Sequence, residues 1–260
     1  MRYFVRPDLY LRTAAHPKIA VREHRLTGIP NAPRGFTMLF ASDFHLRPEM
    51  DAGAITALLK AQKADVILLG GDFSDTKAQT ARLFDAFRSL SARCGIYAVY
   101  GNNDAEVFSD TRSFERAVKS FGGQLLVNRS VTVNADGCRI SFGGLHECRY
   151  HKQQPEKLYT DEADIRICMS HYPVMPAFLP DRKPDVLLCG HTHGGQFNAL
   201  GFTPYCVGFE RFGANKVDTM FVAGLRELGG MRVLISKGIG TSKIPLRIGV
   251  RPEIHRIVFG

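Results

Sequence analysis

A chain of 260 residues, 45% hydrophobic and 23% charged, can bury a substantial core and has the balance of an ordinary soluble globular protein. A formal net charge of +9 and a pI near 9.4 favour anionic partners: phosphorylated metabolites, nucleic acid or an acidic membrane face. Lys and Arg are scattered rather than gathered in runs and RNA-binding aromatic signatures are missing, which argues against nucleic acid; no apolar run approaches the roughly 20 residues that cross a bilayer.

The N-terminus, MRYFVRPDLYLR, interleaves arginine with aromatics where a signal peptide would carry an apolar stretch, so the expectation is a chain neither secreted nor integral to a membrane. Arg2, Tyr3, Phe4, Arg6, Tyr10, Leu11 and Arg12 together suit a short anchor at an anionic membrane surface, or equally a terminal arm packed on the domain. Cys94, Cys138, Cys148, Cys168, Cys189 and Cys206 include no C-x-x-C pair, and several lie in apolar runs where Cys acts as a small hydrophobe. A reduced, cytoplasmic chain is expected. GIPNAPRG separates an arm at 1–35 from a single domain at 36–260.

Past that break, the runs FTMLFAS, DVILLGG and GIYAVYG read as buried strands, with helical periodicity over 51–62 and 76–93 between them. RISFGG, IRICMS and DVLLCG continue the strand series. After about residue 120 short strands dominate (QLLVN, VTVN, TMFVAG, RVLISKG, EIHRIVF), so the architecture is mixed α/β or α+β with at least two sheets.

Five of these runs end in polar residues that can carry chemistry. FTMLFAS ends in Asp43 and His45; VILLGG in Asp72, with Asp75 three residues on; YAVYG in Asn102, Asn103 and Asp104; ICMS in His171; and VLLCG in His191 and His193. Any one of these reads as a turn former, a helix cap or a surface histidine. Together they are a mixed nitrogen and oxygen donor set at strand ends, where α/β sheets assemble their sites, and they suit two divalent cations.

In order and spacing, D-x-H, G-D-x-x-D, G-N-x-D, a single His and G-H-x-H resemble the calcineurin-like metallophosphoesterase superfamily, over Asp43 to His193. The form GHTHGGQ and the tail SKGIGTSKIPLRIGVRPEI are similar to a bacterial branch that is often membrane- or envelope-associated. The resemblance implies a four-layer α-β-β-α sandwich with two facing mixed sheets and metals at the strand carboxyl edges. It implies that Asp43, His45, Asp72 and His193 hold one ion and Asp72, Asn102, His171 and His191 the other, with Asp72 shared. Asp75 and Asp104 then support ligands from behind or stabilise turns. Manganese is the expected ion, with Fe, Zn, Ni and Co as alternatives. A hydroxide bridging two such ions would attack phosphorus.

One position departs from the pattern. Many members carry His where this chain has Asn103, and an amide can donate a hydrogen bond to phosphate but cannot protonate a leaving group. Either His146 or His151 in GLHECRYHK supplies the proton, or the leaving group needs none, as in a phosphoanhydride or activated diester. The expected activity is a phosphodiesterase or pyrophosphatase, and the resemblance, which extends to superfamily members that cleave the pyrophosphate of UDP-diacylglucosamine, implies such a lipid-linked nucleotide as one substrate. Cyclic nucleotides and generic diesters are alternatives, and a non-catalytic metal-binding scaffold ranks low because all seven ligand positions are present.

Overall fold

A computed structural model of the chain describes residues 5–15, 17–108, 110–147, 152–174, 178, 180–207 and 220–260. In chain order its elements are β1 (Leu11–Thr13), β2 (Ala20–Leu26), β3 (Thr37–Ala41), α1 (Ala52–Lys60), β4 (Val66–Leu69), α2 (Lys77–Phe87), β5 (Ile96–Ala98), α3 (Asn102–Val107), α4 (Thr111–Lys119) and β6 (Gln124–Leu125). They continue with β7 (Arg129–Ala135), β8 (Cys138–Gly144), β9 (Ile165–Ser170), β10 (Val186–Cys189), β11 (Gly224–Leu228), β12 (Met231–Ile235), β13 (Leu246–Ile248) and β14 (Glu253–Phe259). One six-stranded mixed sheet has the order β2-β14-β3-β4-β5-β6 and another the order β11-β12-β10-β9-β8-β7, while β1 and β13 form a separate two-stranded ribbon.

The two sheets face one another through central strands that are buried on both sides. Along β3, Met38 and Phe40 turn to the core between the sheets, where they join Val66, Leu68, Ile140, Phe142, Ile167, Met169 and Leu188. Leu39 and Ala41 point the other way, onto Ile55 and Leu59 of α1 and Leu83, Phe84 and Phe87 of α2. A strand covered on both faces reads as a continuous apolar run, which is why TMLFA shows no alternation. On the outer face of the second sheet, Leu187, Cys189, Val233 and Ile235 pack with Leu158, Tyr159 and Phe221. Among the described residues the cover there is loops and short 3-10 turns such as Pro155–Lys157.

Several expected elements shift. The second helix stops at Phe87 instead of running on to 93, although Leu90 stays buried through a turn in which its N–H donates to the Phe87 carbonyl. The periodicity outlasts the helix because the apolar contact does. TMFVAG is not a strand over its described part: Phe221 and Val222 are buried in a loop, and β11 begins only at Gly224. The segment before residue 35 also contributes to the domain, since β2 pairs in parallel with β14 along its whole length and β1 pairs with β13. No helix among the described residues is long and apolar enough to cross a membrane.

β3, β4 and β5 run parallel in one sheet, and β9 and β10 run parallel in the other. Their carboxyl ends open at one edge of the sandwich, and the chemistry-bearing residues follow them there.

Candidate metal centre

Three of the five polar motifs leave their strands by a sharp backbone reversal. Asp43, His45, Asp72, His191 and His193 all have positive φ, at 51°, 37°, 55°, 71° and 52°. Non-glycine residues avoid this region, so five of them in one place are backbone strain concentrated where side chains must converge. The glycines beside them have a steric reason. A Cβ on Gly190 would strike the Asp43 carboxylate, and one on Gly101 would strike that of Asp72. Gly190→Ala should therefore lower bound metal by about tenfold or more while leaving the far-ultraviolet dichroism intact. Full metal retention in that variant would show that the crowding is harmless.

The reversals bring donor atoms together in two groups, Asp43 with His45 and His193, and Asp72 with His171 and His191, the atoms of each group lying within 4.8 Å of one another. Asp72 stands between them: its Oδ2 is 3.4 Å from His45 Nε2 and 3.3 Å from His171 Nε2. Asn102 joins the second group, with Oδ1 3.2 Å from His171 Nε2 and 3.0 Å from His191 Nδ1. The seven residues are thus gathered at one edge.

The imidazoles are aimed by their other nitrogens. His171 Nδ1 lies 2.8 Å from the Gly70 carbonyl and His45 Nδ1 lies 2.9 Å from Asp75 Oδ1, so in each ring the proton belongs on Nδ1 and Nε2 faces inward. His45 Nε2 is buried and makes no well-formed hydrogen bond, its neighbour being the Asp72 carboxylate at 3.4 Å. A buried nitrogen left in that state is costly unless its lone pair meets a cation, and the mixed imidazole, carboxylate and carboxamide set suits divalent transition metals. These residues fit two such ions.

Asp75 and Asp104 have separate tasks. Asp75 Oδ1 also accepts from Asn103 Nδ2 at 2.7 Å, so one carboxylate orients both His45 and Asn103. Asp104 accepts the backbone N–H groups of Asp72, Phe73 and Gly101 at 2.8, 3.0 and 2.9 Å, locking the loop after β4 to the start of α3. His146 is not brought into the group. Its backbone N–H donates to Asn128, its Nδ1 meets the Glu147 carbonyl at 3.1 Å, and its ring lies beside Tyr100. His151 lies outside the described residues.

Arg247 is a site residue that no motif announces. It is 1% exposed and donates to the carbonyls of Gly240, Lys237 and His193, the last at 3.1 Å. Burial pulls it down to about 10, so it remains cationic at neutral pH. It pins the loop after β10 to the loop after β12. The signal in the sequence is a single Arg between apolar residues in IPLRIG. Tyr172, whose ring lies 3.9 Å from that of His191, and Ser42, whose hydroxyl donates to Asp43 Oδ2 at 2.6 Å, are equally silent in the sequence.

Charge in the metal-free protein is balanced by protons. Burial alone would lower His45 and His171, but hydrogen bonds and charge from Asp72, joined by Asp75 at His45 and Asp43 at His171, outweigh it and raise them to about 10 and about 9. Burial would raise Asp72, but the same imidazoles hold it well below the usual carboxylate range. Both histidines are therefore protonated at pH 7 and a binding ion must displace those protons. Metal uptake should release protons into a weakly buffered solution. Apparent affinity should climb about tenfold per pH unit for each displaced proton between about pH 6 and pH 8. A pH-independent affinity by titration calorimetry would contradict this.

Donors at five strand ends, converging at the edge of two facing sheets, make a site suited to divalent cations. The calcineurin-like phosphoesterase family profile matches residues 36–195, and the chain belongs to that family; it is a metallophosphoesterase. It is 30% identical over 223 residues to YpbG of Bacillus subtilis (strain 168), an uncharacterised protein, the match covering 84% of this chain and 79% of YpbG. It is 28% identical over 239 residues to the phosphodiesterase YaeI of Escherichia coli (strain K12), covering 89% and 84%. A Bos taurus transmembrane protein with a metallophosphoesterase domain is 25% identical, covering 95% of this chain and 58% of that protein.

Proposed function

We propose that the chain is a phosphodiesterase or pyrophosphatase working with two divalent ions, manganese first among them. Asp43, His45, Asp72 and His193 hold one ion, and Asp72, Asn102, His171 and His191 the other. The convergence of these seven donors, with Asp72 between the two groups, is the observation that carries the reading. Bound ions supply the charge that acidifies water and neutralises phosphate oxygens. The chain's own residues aim the ligands, and Asn103, held by Asp75, presents an amide to the phosphate without being able to protonate a leaving group.

Within this reading the substrate is a phosphoanhydride or activated diester, and a lipid-linked nucleotide pyrophosphate such as UDP-diacylglucosamine fits the basic charge and the missing acid together. It would be met at the cytoplasmic face of the inner membrane, with the N-terminal arm on anionic lipid. The membrane-bound relative in Bos taurus supports proximity to a bilayer. Cyclic nucleotides and simple diesters are the competing substrates. Metal analysis of the purified chain, followed by a panel of monoester, diester, cyclic nucleotide and nucleotide-sugar pyrophosphate, separates these. Turnover of alkyl monoesters above diesters and pyrophosphates would sink the reading, and tight metal binding with no turnover of any panel member would point to a scaffold.

A further inference from the structure

Most of the large apolar side chains left outside gather in one place. Of the eight exposed among the described residues, Val21 and Leu225 lie apart, while Leu9, Leu11, Leu200, Phe202, Ile244 and Ile248 belong to three segments bonded to one another. Leu11 stands opposite Ile248 in the β1–β13 ribbon. Phe197 bridges to Ile248, whose carbonyl accepts from the Asn198 N–H at 2.8 Å. Asn198 Nδ2 donates to the Val5 carbonyl at 2.7 Å, and Gln196 Nε2 to that of Ile244 at 2.9 Å. One exposed leucine is ordinary, but six large side chains on linked segments make a patch.

The charge around that patch has one sign. Residues 5–14, 196–206 and 241–251 contain Arg6, Arg12, Lys243, Arg247 and Arg251 against a single acid, Asp8, which is 3.2 Å from Lys237. Arg247 is turned inward, whereas Arg6, Arg12 and Lys243 are exposed. Apolar side chains rimmed by unneutralised cations match an anionic lipid interface: the side chains enter the acyl boundary and the cations meet lipid phosphates. The patch also adjoins the metal centre. Along β13, Arg247 faces in and holds the loop carrying His193, while Ile248, one residue on, faces out.

We infer that this composite face, made by the arm, the loop at 197–202 and the strap at 241–248, docks the protein on an anionic bilayer. The inference deepens the membrane reading proposed above and rests on it only for the consequence that substrate comes from the bilayer. The arm is one part of the surface and is also structural: Val5 and Tyr10 are buried and β1 supports β13, so deleting the arm would disturb the strap.

Point variants on the loop test it with the full, metal-loaded chain. Vesicles of phosphatidylglycerol and phosphatidylcholine should sediment the wild type, pure phosphatidylcholine should do so far less, and added salt should weaken the anionic case. Leu200→Ser combined with Phe202→Ser should weaken vesicle binding by about tenfold or more, whereas Leu225→Ser, exposed elsewhere, should not. Hydrolysis of soluble bis(nitrophenyl) phosphate should be unchanged in both variants, which also certifies folding. Equal binding to neutral and anionic vesicles, or none, overturns the inference. So does a wild-type dimer that the double variant converts to monomer, because a second copy would then own the face. Loss of vesicle binding in the double variant of a chain that hydrolyses neither diester nor pyrophosphate would sustain the docking face and defeat the proposed activity.

Discussion

Asp72→Asn should lower phosphodiester turnover by at least about a hundredfold, and Asp75→Asn by only about tenfold. The two residues lie three apart in one motif, so the contrast isolates geometry from chemistry. Asp72 Oδ2 faces the inward nitrogens of both His45 and His171, the place from which one carboxylate reaches two cations. An amide there keeps the size and can still accept the Asn103 N–H that now meets Asp72 Oδ1 at 2.8 Å, but it withdraws the charge that offsets repulsion between the ions. Asp75 acts from behind, by orienting His45 and Asn103 through Oδ1, and an Asn there retains an acceptor oxygen. Metal analysis alongside rates completes the comparison: Asp72→Asn should lose metal and Asp75→Asn should keep most of it. Equal losses in rate and metal would contradict the shared-ligand assignment of Asp72.

The contrast also shows which parts of the site a sequence can reveal. Asp43, Asp72, Asn102, His171 and His191 are visible because each follows an apolar run, and strands end where the apolar run ends. Support residues carry no such flag. Arg247 works from the middle of a three-residue strand through carbonyls of residues near in space and as far back as His193 in sequence. Its role depends on a long-range pairing, β1 with β13, that no local pattern encodes. The same holds for β2, whose alternating burial looks like an exposed arm until β14 is beside it. α3 and α4 escape notice for a different reason. α3 is six residues long and starts inside the G-N-N-D motif, and α4 has a well-segregated apolar face, but over nine residues that face holds only two buried side chains, Phe114 and Val118. Exposed apolar side chains give the converse failure: Leu200 and Phe202 have the composition of core residues, and only their placement shows that they face outward.

If the centre lacks a strong general acid at Asn103, hydrolysis by the wild type should fall steeply as the leaving group becomes more basic. An unprotonated alkoxide must then depart with only hydrogen bonds and cationic charge to stabilise it. Nitrophenyl diesters and pyrophosphates should react well and alkyl monoesters poorly. Asn103 has no latent acidity to offer: its Nδ2 donates to Asp75 at 2.7 Å and its Oδ1 accepts from Asn102 Nδ2 at 2.6 Å. Asn103→His places an imidazole within reach of the Asp75 carboxylate, which favours the protonated ring and so loads the missing acid. A positioned general acid contributes about 10²–10⁴-fold, so the poor leaving groups should gain at least about tenfold while nitrophenyl esters gain little. The measurement is a series of aryl and alkyl phosphodiesters of graded leaving-group pKa, assayed for both proteins at saturating manganese. A flat dependence in the wild type would mean that another acid already serves. His146, held by Asn128 and Glu147 rather than by the ligand group, and His151 would then be replaced by Gln in turn, and the preference for anhydrides would have to be given up.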